Sequence, residues 1–304
     1  MTGYKLATLQ TSNGPRAAAI VGDVAYDAVD LTGDRRYSCV QNILEDWDQA
    51  HAKLEVASAH PNCTGVAVAT AKLLAPLPKP NVLYCAGANY RDHAEEMSRL
   101  AGKPPEDPRA DGAKPWFFLK SPHTVVPPDA TVHVTQVGRH IDWEAELVVV
   151  IGRKARNVPS QHALDYVAGY TCGNDLSARD HVFRLKLPES SPFRADWTRH
   201  KSFDDACPMG PWLVPAPYVS DPTNLPIRLW VNADLKQDSN SGQMIFSAAE
   251  QIAYLSQSIT LYPGDVILTG TPAGVGLSKR QFLESGDVVH LEIGEIGTLR
   301  NVVA

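Results

Sequence analysis

The sequence is poor in cysteine, and its cysteines are not paired. Cys39, Cys63, Cys85, Cys172 and Cys207 are odd in number and lie far apart, with no C-x-x-C. That excludes a disulfide framework and a zinc-knuckle pattern. Long apolar runs are also missing, since stretches such as 147–151 are far too short to span a bilayer. Residues 1–14 lack the apolar core of a secretory signal, so a reducing cytoplasm is the expected compartment. There is no excess of positive charge: 28 basic against 34 acidic residues leave a net charge of −6. This argues against nucleic acid or an anionic membrane as the main partner. Neither G-x-S-x-G nor H-E-x-x-H occurs, and no glycine cluster has the spacing of a P-loop or a dinucleotide fingerprint. Serine-hydrolase, zincin and nucleotide-binding readings therefore lack support.

What is present is an ordinary globular chain of 304 residues, 44% hydrophobic and 20% charged. At that length one large domain beside a smaller one is expected. Alternation over 4–9 and 17–21, then the turn Gly22-Asp23 and residues 24–29, reads as short strands. Helical spacing recurs over 40–56 and again over 90–100 and 248–258. Pro76, Pro78 and Pro80 fall within five positions and mark a linker, dividing the chain into 1–75 and 80–304. Residues 101–114 are rich in Pro, Gly, Asp and Lys and suggest a loop or lid. From Trp116 onward strands dominate: 117–120, 131–134, 141–151, 166–172, 227–231, 265–269, 288–293 and 298–303. The fold class is α+β and β-rich.

The segment most informative about chemistry begins at His140. Read as a strand, it places Ile141, Trp143, Ala145, Leu147 and Val149 on one face and His140, Asp142, Glu144 and Glu146 on the other. Side chains two apart sit roughly 7 Å apart, near enough for carboxylates to converge on one ion. The same pattern equally fits a solvated acidic face. A strand later comes Asn174-Asp175-Leu176-Ser177-Ala178-Arg179-Asp180, where Asp175 is a candidate third ligand beside a guanidinium, although Asn-Asp also makes plain turns. Three carboxylates would make a hard oxygen site suited to Mg²⁺ or Mn²⁺. On the 90–100 helix, His93 and Glu96 are i and i+3, so the acid can orient the imidazole for water activation, or the pair can be an ordinary surface His and acid. Lys201 and the Gly-rich turn around Thr271 are weaker signals taken singly.

Together these segments resemble the fumarylacetoacetate hydrolase family. The resemblance rests on Gly87-Ala88-Asn89-Tyr90-Arg91-Asp92-His93-Ala94, Asp142-Trp143-Glu144-Ala145-Glu146-Leu147 and the Asn174–Asp180 run just quoted. It continues through Lys201-Ser202-Phe203-Asp204, Thr269-Gly270-Thr271-Pro272-Ala273-Gly274-Val275-Gly276 and Glu295-Ile296-Gly297-Thr298-Leu299-Arg300-Asn301. These occur in the family's order over 80–304, and the first 75 residues look like its small N-terminal β domain. The resemblance implies a mixed β-sandwich roll, a homodimer, and Mg²⁺ or Mn²⁺ held by Glu144, Glu146 and Asp175 against a 2-keto or diketo acid. It implies His93, Glu96 and Lys201 as catalytic residues and Tyr90, Arg179 and Thr271 as substrate contacts.

The implied activity is hydrolysis of a C–C bond in an acylpyruvate such as fumarylpyruvate or maleylpyruvate. The alternatives are a decarboxylase, or a 2-hydroxydienoate isomerase or hydratase, of the same family, and a non-catalytic metabolite-binding protein on the same scaffold. The chain departs from the family's pattern at Val182, which stands where a glutamine is frequent, and at Ser121, where a proline is usual. The long segment 184–200 is a further departure. All three border the expected substrate side, and His181 or His123 could supply a replacement contact there.

Overall fold

The computed structural model describes residues 3–104, 107–134 and 137–304. A mixed sheet of twelve strands runs through the molecule. Its centre is Lys5–Thr11, Cys207–Pro215, Val167–Asn174, Ala145–Ile151, Val266–Leu268, Leu83–Ala86 and Phe117–Lys120, in that spatial order. Most pairs are antiparallel, while Val266–Leu268 and Leu83–Ala86 run parallel. A second sheet, of five strands, contains Asp234–Asn240, Pro226–Val231, Val288–Ile293, Gly297–Val303 and Thr131–Val132. A short ribbon pairs Ile141–Asp142 with Ser177–Ala178. The fold is α+β and β-rich, with no closed barrel among the described residues.

The Ala145–Ile151 strand shows why the sheet lies in the middle. Leu147, Val149 and Ile151 pack into one hydrophobic cluster with Ile227, Leu229 and Leu291 of the second sheet. Val148 and Val150 face the other way, into a cluster with Ile43, Leu44 and Leu54 of the N-terminal helices. A strand covered on both faces needs an unbroken apolar run, and 147–151 is one. Residues on both sides of the proline linker share this second cluster, and Leu6 pairs with Leu213 across it.

Several elements end where side chains take over the backbone. The helix expected over 40–56 is two helices, Val40–Glu45 and Trp47–Ala59, broken at Asp46 (φ −116°, ψ 32°), whose carboxylate accepts from Tyr37 Oη at 2.9 Å. The strand expected over 24–29 stops at Asp27, which caps the Ala28–Thr32 helix by accepting from Val29 N at 2.9 Å. The strand expected over 141–151 is interrupted at Trp143 and Glu144. The helices Arg91–Leu100 and Ala248–Ser258 form, the latter with a capping box between Ser247 and Glu250. The strands Cys207–Pro215 and Asp234–Asn240 were not expected. Of the expected lid at 101–114, residues 105 and 106 lie outside the described residues. No helix among the described residues is long and apolar enough to cross a membrane.

Candidate active site

The interruption at Trp143 and Glu144 builds the floor of the site. Trp143 N donates to Asp142 Oδ1 (2.8 Å), Glu144 N to Asn174 Oδ1 (2.9 Å) and Ala145 N to Gln237 Oε1 (2.9 Å). These side chains satisfy amides that a regular ladder would otherwise pair. Glu144, Glu146 and Asp175 each offer an oxygen within 4.8 Å of the other two, and all three are buried. The expected convergence is present, though on a broken strand. Asp142 turns away: it accepts from Gly276 N (2.6 Å), Leu277 N (3.0 Å) and Arg179 Nε (2.8 Å). Gly276 has no room for a side chain, because a Cβ there would lie 2.0 Å from Gln281 O and 2.8 Å from Asp142 Oδ1.

Buried acids need compensating charge. Lys201 Nζ donates to Glu144 Oε2 (2.8 Å) and Asp175 Oδ2 (2.6 Å), and Lys120 Nζ to Asp175 Oδ1. Arg179 Nη2 and Ser177 Oγ donate to Glu144 Oε1 at 2.6 and 3.1 Å. Burial pushes the Glu144 carboxyl up, but Lys201 and Arg179 outweigh it and hold the group well below the usual carboxylate range. Glu146 is the opposite case: burial first, then the charges of Asp175 and Glu144, push it well up. Its Oε2 accepts from Gly270 N at 2.7 Å, whereas its buried Oε1 has no hydrogen-bond partner among the described residues. A buried carboxylate oxygen left without a donor, inside a cluster of hard oxygen donors, fits a divalent cation.

Above this floor lies the Arg91–Leu100 helix. His93 Nδ1 and Glu96 Oε2 are 3.3 Å apart on one face, and Gly274 N donates to both oxygens of Glu96 at 3.2 Å. Burial raises the Glu96 carboxyl, but bonds from His93, Ser278 and Gly274 outweigh it and hold it below its ordinary value. Asn89 sets the helix start, with Oδ1 accepting from Phe246 N (2.8 Å) and Nδ2 donating to Thr269 O (2.7 Å).

A cavity of about 140 Å³ joins the two parts. His93, Glu144, Lys201, Arg179 and Thr271 line it, together with Gly87, Trp116, Phe118, Trp197 and His200. Of the three expected substrate contacts, Arg179 and Thr271 line this cavity and Tyr90 does not. Tyr90 is fully buried in the hydrophobic core and does not line the cavity. Thr271 Oγ1 is already committed, donating to Ala145 O (3.0 Å) and accepting from Gln237 Nε2 (2.9 Å). The Arg179 guanidinium is held by Asp142 and Glu144, so it positions the floor. Sequence reasoning gave no role to Lys120, Asp142, Asn174 or Gln237. For Lys120 the available signal was its place in the Phe118-Leu119-Lys120-Ser121 segment.

A family model described as fumarylacetoacetate (FAA) hydrolase, C-terminal, matches residues 82–304. The chain belongs to the fumarylacetoacetate hydrolase family of enzymes. Among its relatives in this family is the mitochondrial oxaloacetate tautomerase fahd2 of Xenopus laevis, 41% identical over 233 residues, which are 76% of this chain and 68% of that protein. Maleylpyruvate hydrolase from Sphingobium sp. SYK-6, solved with manganese(II) and pyruvate, superimposes with a TM-score of 0.75 at 29% identity, covering 99% of this chain and 98% of that one. The 2-hydroxyhepta-2,4-diene-1,7-dioate isomerase from Mycobacterium marinum gives 0.73 at 29% identity over 99% and 98%. This fumarylacetoacetate hydrolase family member is thus similar to proteins named for three different reactions.

Proposed function

We propose that the chain is a divalent-metal-dependent hydrolase that cleaves a C–C bond in an acylpyruvate or similar 2,4-diketo acid, releasing pyruvate and a carboxylic acid. Glu144, Glu146 and Asp175 would hold the Mg²⁺ or Mn²⁺. When bound, such an ion supplies Lewis-acid polarisation of a ketone oxygen. The observation that carries the reading is that His93, held by Glu96, faces the same cavity as Glu144 and Lys201.

Glu96, fixed by the Gly274 amide, accepts from His93 Nδ1–H and so leaves Nε2 as the base. That nitrogen takes a proton from water as the oxygen attacks the distal carbonyl carbon. The bond between that carbon and the methylene next to the 2-keto group then breaks, its electron pair forms the pyruvate enolate, and a proton returns to the methylene carbon. Lys201 stays cationic, because the charges of Asp175 and Glu144 outweigh its burial, and it offsets the enolate charge at the cavity wall. Arg179 holds Glu144 in place. A homodimer belongs to the same proposal, since Phe183, Leu185 and Phe193 are large apolar side chains left exposed.

A second reading, tautomerisation of oxaloacetate, is favoured by the name of the Xenopus relative at 41% identity. It uses the same floor and a base, but no water. The deciding experiment follows the enol absorbance of an acylpyruvate panel, with Mg²⁺ and with EDTA, together with released pyruvate. Metal-dependent decay matched by pyruvate is the expected result. Decay of enol-oxaloacetate absorbance without pyruvate, and none with the acylpyruvates, would replace hydrolysis by tautomerisation.

A further inference from the structure

One wall of the cavity has no place in the chemistry above. Trp116, Phe118 and Trp197 meet there as an aromatic cluster: Trp116 and Trp197 ring centroids are 4.9 Å apart at 69°, and Phe118 stacks on Trp197 at 5.6 Å and 26°. Trp116 lies against the backbone of Gly87, where a Cβ would fall 1.8 Å from the indole. Trp197 comes from the 184–200 segment and opens a short helix whose N-cap, Asp196, accepts from Arg199 N. Both indoles are seated but keep 44% and 37% of their surface exposed, so each has a face to offer a ligand.

The charges at this cavity are already spoken for. Lys201 is paired with Glu144 and Asp175, and Arg179 with Asp142 and Glu144. No other lysine or arginine lines the cavity among the described residues. His200 donates Nδ1–H to Ala178 O at 3.0 Å, which leaves its other ring nitrogen an acceptor. A second carboxylate on a ligand would be stripped of water against indole faces where the Lys201 ammonium, 5.0 Å from the Phe118 ring, is already paired with two carboxylates, whereas a methyl or methylene group gains contact there.

We infer that Trp116, Phe118 and Trp197 form the subsite for the distal group of the substrate, and that it selects 2-keto acids ending in an uncharged, apolar group over those ending in a second carboxylate. The inference rests on the 2-keto acid reading above and names the substrate class within it.

The test is calorimetric binding to the Mg²⁺-loaded protein of three probes: pyruvate, 2-oxopentanoate and 2-oxoglutarate. The last two have the same chain length and differ by a terminal methyl against a terminal carboxylate. The expected result is 2-oxopentanoate bound at least tenfold more tightly than 2-oxoglutarate. Trp197→Ala should remove most of that ratio and leave pyruvate affinity within about twofold. Trp197→Lys, which supplies an unpaired cation, should shift preference toward 2-oxoglutarate. Pyruvate binding with 2-oxoglutarate equal to or tighter than 2-oxopentanoate would overturn the inference alone. A protein that binds none of the three in the presence of Mg²⁺ would overturn the 2-keto acid reading and the inference with it.

Discussion

Every residue of the Ala145–Ile151 and Val167–Asn174 strands is buried, and no residue of the Arg91–Leu100 helix is. The first pair of elements carries or adjoins the three carboxylates, and the second carries His93 and Glu96. Both halves face one cavity, yet they are held by different means. The floor is over-determined: two hydrophobic clusters grip its strands, and an ion network of Lys120, Lys201 and Arg179 locks its acids. The helix hangs on a few polar contacts, among them Ser239 Oγ to Asp92 at 2.5 Å, Arg91 Nη1 to Met244 O at 3.1 Å and the Gly274 amide to Glu96. A group that must keep hard acids together needs rigidity, whereas a base that admits substrate can sit on an element of low local stability.

The sharpest way to break this contrast is Asp175→Ala, which strips both buried lysines of a carboxylate. We expect a loss of about 3–5 kcal/mol in urea unfolding. A loss below about 1 kcal/mol would show that the ion network does not hold the floor. His93→Ala should do the reverse, lowering turnover by about 10²–10⁴-fold. Its unfolding free energy should stay within about 0.5 kcal/mol, and Mg²⁺ binding by calorimetry should be unchanged. Unaltered turnover would remove the dyad from the chemistry.

A smaller effect is set by pH on the floor side. Burial, then the Lys201 charge, lowers His200 to about 4. The unfolded chain takes up that proton near pH 6.5. Between those values the unfolded state binds more protons, so stability falls as pH falls through the window, by roughly 3 kcal/mol in all. His200→Gln should remove that part of the slope in unfolding titrations from pH 7 to 4, and an unchanged slope would reject this account. The smallest effect expected is from Ser239→Ala, about 1 kcal/mol confined to the helix. Amide exchange should quicken over residues 91–100 and stay constant over 145–151; an equal rise in both would mean that the two halves open together.

The same contrast governs what could be read in the sequence. The helix was legible, because His93 and Glu96 are three residues apart and local spacing fixes their face. The three acids were legible as a set, because Glu144 and Glu146 alternate with apolar residues and Asp175 ends the next strand. Their real geometry was not, because it comes from Asn174 and Gln237 side chains replacing ladder bonds, which no periodicity reports. Lys120 meets Asp175 across 55 positions and only through sheet packing. The Cys207–Pro215 strand was hidden by Pro208, Pro211 and Pro215, which argue against a central strand. The break at Asp46 depends on a bond from Tyr37 rather than on a helix-breaking residue.

Lys120 and Lys201 also bear on how such a protein comes into being. Two of the three acids that would hold an ion, Glu144 and Asp175, are met by ammonium groups tethered to the same polypeptide, so they are compensated from the moment the strands assemble. Shape and metal content are then separate matters, unlike small zinc domains in which one equilibrium decides both. We expect such a chain to fold without waiting for an ion and to keep its fold in a chelator.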